Sequence, residues 1–90
     1  MADDALRTML LDWLDDHYLF GDARTVVRSD ELSWLDHGVL DSLGFVKMIL
    51  FIEDRLGLRF ERRLLTRENF DGLGKIVRYV TAHPGYRGAP

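Results

Sequence analysis

Three histidines, a serine that follows an aspartate and the absence of cysteine set the limits of the chemistry open to this 90-residue chain. Ser42 follows Asp41, and His37 lies five residues ahead of the serine. A serine near a histidine is the start of a nucleophilic dyad, as in a small hydrolase. No G-x-S-x-G elbow surrounds Ser42, and no strand is predicted to present it. A chain of this size also offers little pocket for holding a substrate away from water. His17, His37 and His83 share no metal-ligand spacing such as H-E-x-x-H. Without cysteine there is no disulfide framework, thiolate zinc site, iron–sulfur cluster or cysteine nucleophile. Gly38 and Gly44 fit neither the P-loop nor the dinucleotide fingerprint. The expectation is a protein that is not itself an enzyme.

Charge narrows the partners. Arg62, Arg63 and Arg67 precede Lys75 and Arg78, but Glu61, Glu68 and Asp71 dilute this cluster, and the net charge is −3. That balance argues against nucleic-acid binding by phosphate neutralisation. The acidic start is unlike a signal peptide, and no long uncharged stretch is available to span a bilayer. The reading is a soluble, cytoplasmic, monomeric domain. The charge is unevenly spread: residues 1–41 hold ten acids and three bases, and residues 42–90 five acids and nine bases. A split of this kind can steer partners.

These residues must be positioned by helices. Over residues 4–18, Leu6, Met9, Leu10, Trp13, Leu14 and His17 or Tyr18 recur at helical spacing, with Asp3 and Asp4 at the start and Gly21 as a stop. His17 is placed on or near the inward face. Residues 20–41 form a long connection that packs down through Val26, Val27, Leu32, Trp34, Leu35, Val39 and Leu40. A second helix over 42–56 has Leu43, Val46, Ile49, Ile52 and Leu56 on one stripe, Ser42 as its N-cap and Gly57 past its end. Phe45, Leu50 and Phe51 fall off that stripe, which makes this helix a candidate contact surface. A weak helical signal over 61–70 precedes a last helix from Asp71-Gly72 to Ala82, stopped by His83-Pro84-Gly85. The fold class is therefore all-α, a small bundle of three main helices plus a short minor one. The domain spans 1–82, followed by a flexible tail, 83–90.

The most specific segment is Gly38-Val39-Leu40-Asp41-Ser42-Leu43-Gly44. On the residues alone, it is a helix cap beside an acid. It nevertheless ends a long loop, opens an apolar helix and has an apolar residue after the serine. This arrangement resembles the acyl and peptidyl carrier protein family, in which D-S-L marks the phosphopantetheine attachment serine. Ile52-Glu53-Asp54, Leu56-Gly57, Asn69-Phe70, Ile76-Val77 and Tyr79-Val80 continue the likeness across residues 4–82.

The resemblance implies the four-helix carrier fold and an acyl carrier role. Ser42 would bear covalent 4′-phosphopantetheine, taken from coenzyme A by a phosphopantetheinyl transferase. Asp41 would serve transferase recognition. The cofactor thiol would carry acyl or aminoacyl groups as thioesters. Loading would fall to an adenylating ligase or acyltransferase, and unloading to a downstream synthase or transferase. Partners would read Leu43, Phe45, Val46, Lys47 and Leu50; for Val46 a core role is favoured. Lys47 stands where fatty-acid carriers are commonly acidic, and Gly38-Val39 departs from the usual glycine placement. This form looks more like D-alanyl carriers and stand-alone carriers paired with adenylating ligases. It favours a specialised or aminoacyl pathway over a housekeeping fatty-acid carrier. A helical interaction module without covalent cargo is the competing class.

Overall fold

The computed structural model describes residues 4–89, which are helical with no strand among them. Helix α1 (Asp4–Leu14) buries Leu6, Met9, Leu10, Trp13 and Leu14, so its apolar stripe faces the core as expected. The reading of Asp3 at the helix start lies outside the described residues. The predicted helix to residue 18 is completed by a π-helical turn, Asp15–Leu19. Phe20 ends it in the left-handed conformation at φ 50°, its N–H donating to the Asp15 carbonyl at 2.9 Å. The Asp15 carboxylate then accepts the Gly21 and Ala23 N–H groups at 3.0 and 2.7 Å, turning the chain into helix α2 (Ala23–Val26). His17 is exposed rather than inward. The π turn rotates it to the edge, where Nδ1–H donates to the Trp13 carbonyl at 2.9 Å.

Beyond α2 the long connection winds through turns centred on Trp34, which is fully buried. The Trp34 carbonyl accepts the N–H groups of Val39 and Leu40 at 2.8 and 3.2 Å. This closes a loop that buries both residues and delivers the chain to Asp41. Helix α3 (Ser42–Leu56) follows and ends at Gly57, which adopts φ 65°. Its buried residues are Gly44, Met48, Ile49 and Ile52. The expected stripe through Leu43 and Val46 is therefore rotated. Leu43 and Val46 are 63% and 51% exposed, while Phe45, Phe51 and Leu56 are the partly buried members packed on the core. Apolar residues surround this helix, so spacing alone supports either phase. The neighbouring elements select the one that buries the longer Met48.

Leu58 and Phe60 are buried in the next connection, which passes through a 3₁₀ turn (Arg62–Leu64) into helix α4 (Arg67–Phe70) and then helix α5 (Leu73–Thr81). α5 buries Leu73, Ile76, Val77 and Val80. Phe70 lies 5.2 Å from Phe60 and 5.1 Å from Tyr79 between ring centroids, which joins the last two helices to the core. At the start of α5 the long connection approaches very closely. A Cβ on Gly72, at φ 139°, would lie 2.8 Å from the Leu32 carbonyl oxygen, and Gly74 N–H donates to the Asp30 carbonyl at 3.1 Å. Only glycine permits that contact and that backbone angle together. Past α5, His83 Nε2–H donates to the Arg59 carbonyl at 3.0 Å, Gly85 N–H donates to His83 Nδ1, and Tyr86 packs partly buried on the core.

Candidate functional site

The site forms where the long connection meets α3. Asp41, not Ser42, is the N-cap. It is extended at ψ −177°, and its Oδ1 accepts the Gly44 N–H at 2.7 Å. Its carbonyl accepts the Phe45 N–H at 2.9 Å, so the first helical bond is also in place. Ser42 is displaced to the first helical position. There it is exposed, and its hydroxyl has no hydrogen-bond partner among the described residues. Gly44 is buried because the Tyr18 hydroxyl closes over it: a Cβ there would sit 2.9 Å from that oxygen and 3.2 Å from Asp41 Oδ1. The glycine thus brings the π-helical turn against the first turn of α3.

From Ser42 the α3 surface presents Leu43 and Val46, then Leu50 at 57% exposure, with Lys47 exposed among them and Phe45 half-buried. An open apolar groove of about 500 Å³ starts at Ser42 and is lined by Phe45, Val46, Ile49, Leu65 and the stem of Arg67. His37 takes no part. It is exposed, and its Nδ1–H donates to the Ser33 carbonyl at 3.0 Å, within its own loop. Nothing pairs it with Ser42 as a base, so the hydrolase arrangement is not assembled. Among the described residues no group of His, Asp and Glu could hold a metal ion, and no helix is long and apolar enough to cross a membrane.

Two curated proteins are similar to this chain. A D-alanyl carrier protein of Abiotrophia defectiva is 38% identical over 56 residues, covering 61% of this chain and 71% of that protein. A D-alanyl carrier protein of Lacticaseibacillus casei (strain BL23) is 30% identical over 80 residues, covering 89% of this chain and 95% of that protein. The chain belongs to the acyl and aminoacyl carrier protein family. No family model and no solved structure matches it.

The carrier holds its long connection in place with a polar cluster that sequence reading missed. Asp71 is 1% exposed, the one buried charged residue among the described residues. It accepts hydrogen bonds from the Ser33 hydroxyl, from the Leu35 N–H at 2.9 Å, and from Arg67 Nε and Nη2 at 3.1 and 2.9 Å. Burial alone would push the Asp71 carboxyl up. The Ser33, Leu35 and Arg67 donors outweigh it, and the net direction is down. Arg67 Nη2 also reaches Asp36 Oδ1 at 2.6 Å, so part of the expected basic cluster is spent on this loop. Farther along, Arg7 binds both oxygens of Asp30 at 2.6 and 2.8 Å and holds that carboxyl below its ordinary range. The two anchors bracket Trp34. The signal that could have revealed them is the run Ser33-x-x-Asp36 facing Arg67-x-x-x-Asp71, but the pairing spans up to 38 residues.

Proposed function

We propose that this carrier bears 4′-phosphopantetheine on Ser42 and shuttles an aminoacyl group as a thioester on the arm. The observation that carries the reading is the exposed, unpartnered Ser42 hydroxyl at the first position of a 15-residue helix, beside an apolar groove. An attached phosphodiester keeps one negative charge. The first amides of α3 that Asp41 leaves free, and the positive end of the helix dipole, favour an anion there. When attached, the group supplies the thiol that the cysteine-free chain lacks.

The chain's own residues do the positioning. Asp41 orders the first turn through Gly44; the residue is exposed and its second carboxylate oxygen has no hydrogen-bond partner among the described residues, which leaves it for a transferase to use. In forming the ester, Ser42 Oγ bonds to the phosphorus nearer pantetheine in coenzyme A. The serine proton is lost, and the bond to the adenosine bisphosphate portion breaks. No base in this domain is required, because a phosphopantetheinyl transferase supplies it. Leu43, Val46, Lys47 and Leu50 form the surface on which partners dock, with Phe45 beneath it. An apolar patch ringed by charge suits brief encounters. The arm's tether raises the effective concentration of the carried group at each partner.

An aminoacyl cargo loaded by an adenylating ligase is favoured over a fatty acyl group. The two relatives are named D-alanyl carrier proteins, and Lys47 stands where fatty-acid carriers commonly present an acid to a basic synthase. Incubation with coenzyme A and a promiscuous transferase, followed by intact-mass measurement, tests the attachment. Loading with a D-alanine-adenylating ligase and ATP, compared with a fatty-acid synthase transferase, tests the cargo class.

A further inference from the structure

We propose that Phe20 is a docking anchor for the phosphopantetheinyl transferase that acts on Ser42, entering an apolar pocket rimmed by basic side chains. The inference rests on the carrier reading of Ser42. Among the described residues, four large apolar side chains stand out from the surface: Leu43, Val46 and Leu50 on α3, and Phe20, the most exposed at 82%. Phe20 is also the one non-glycine residue at positive φ among the described residues. The left-handed conformation is costly for a bulky side chain, and glycine or asparagine ends a helix there with less strain. This ring gains no burial in return. Its conformation is imposed by Asp15, whose carbonyl takes the Phe20 N–H and whose carboxylate takes the next two free amides, at Gly21 and Ala23. A strained, tightly held and unburied aromatic is better explained by what it contacts outside the domain than by the fold.

Its place selects the partner. Tyr18, two residues earlier, lies against Gly44 in the first turn of α3, so Phe20 stands at the Ser42 end of the bundle. An enzyme reached through the flexible arm need not surround this end. The transferase must take the Ser42 hydroxyl itself into its active site, so its footprint encircles the start of α3. Exposed Asp16 and Asp22 flank Phe20 in sequence, and exposed Asp41 precedes the serine. Arg24, the nearest Lys or Arg in sequence, already pairs with Asp12 and Asp15. The matching surface is therefore apolar at its centre and basic at its rim.

The test is a time course of phosphopantetheine addition to the full chain with coenzyme A and a promiscuous transferase, read by intact mass, alongside thermal melts. Phe20→Gly and Phe20→Asn remove the ring and relieve the backbone. Both are expected to melt at or above the wild-type temperature while kcat/KM for addition falls at least tenfold, mainly through KM. Phe20→Leu keeps an apolar knob and stays within about threefold of wild type. Unchanged addition in Phe20→Gly, or a loss that tracks a lower melting temperature, overturns the proposal while leaving Ser42 as the attachment site. So does normal addition followed by slower aminoacyl loading, which would give the anchor to a later enzyme. If wild type itself takes no adduct, the carrier reading fails and this inference falls with it.

Discussion

Asp41 Oδ1 accepts the Gly44 N–H at 2.7 Å, so the residue before the proposed attachment serine is the helix cap and the serine is left free. Two roles meet on one carboxylate, and they separate by substitution. Asp41→Asn keeps a capping oxygen and is expected to leave stability nearly unchanged while slowing transferase addition. Asp41→Ala loses the cap and about 1 kcal/mol as well. Thermal melts and addition rates on the two variants check this; equal addition rates in Asn and wild type would leave Asp41 as a cap alone.

Asp71 is expected to make the fold acid-sensitive. Its folded-state value lies below that of the unfolded chain, so its stabilisation is fully present above about pH 4 and is lost as pH falls from there through the folded value. Asp71→Asn is expected to cost about 2 kcal/mol at pH 7 and progressively less toward pH 3. Urea melts at both pH values measure it. A cost that does not shrink at low pH would mean that the charge of Asp71 is not what binds Ser33, Leu35 and Arg67.

Gly72→Ala places a Cβ 2.8 Å from the Leu32 carbonyl oxygen on a backbone at φ 139°. Neither the backbone oxygen nor the angle can give way cheaply. The expected loss is roughly 2–3 kcal/mol, read from a chemical melt. A near-neutral result would show that the connection is not held against α5 as described.

The α3 surface should act on partners and not on stability. Leu43→Ala and Leu50→Ala are expected to shift stability by less than about 0.5 kcal/mol, because both side chains are largely exposed. Their loading by transferase and ligase is expected to drop severalfold. Lys47→Glu should improve use by fatty-acid synthase enzymes; no improvement would show that this residue is not what limits that docking.

The candidate site is more legible in the sequence than its supports. Asp41-Ser42-Leu43-Gly44 at the junction of a long loop and an apolar helix is legible because capping and spacing are local. Even so, the cap falls one residue earlier than the serine. The face of α3 departs from the expected core role at Val46, while Leu43 stands outward as a contact residue, because Phe45, Met48 and Phe51 offer a second apolar stripe and packing partners decide between the two. Trp34 was legible as an anchor by size and setting. Asp71 was not, since an acid before a helix looks solvated until Ser33 and Leu35 arrive from 38 and 36 residues away.

The most direct test is the intact mass of the protein after incubation with coenzyme A and a promiscuous phosphopantetheinyl transferase, with the adduct located by peptide mapping. The account predicts a single phosphopantetheine adduct on Ser42 that is absent from Ser42→Ala. No adduct on the wild-type protein, or one that persists in Ser42→Ala, would contradict it.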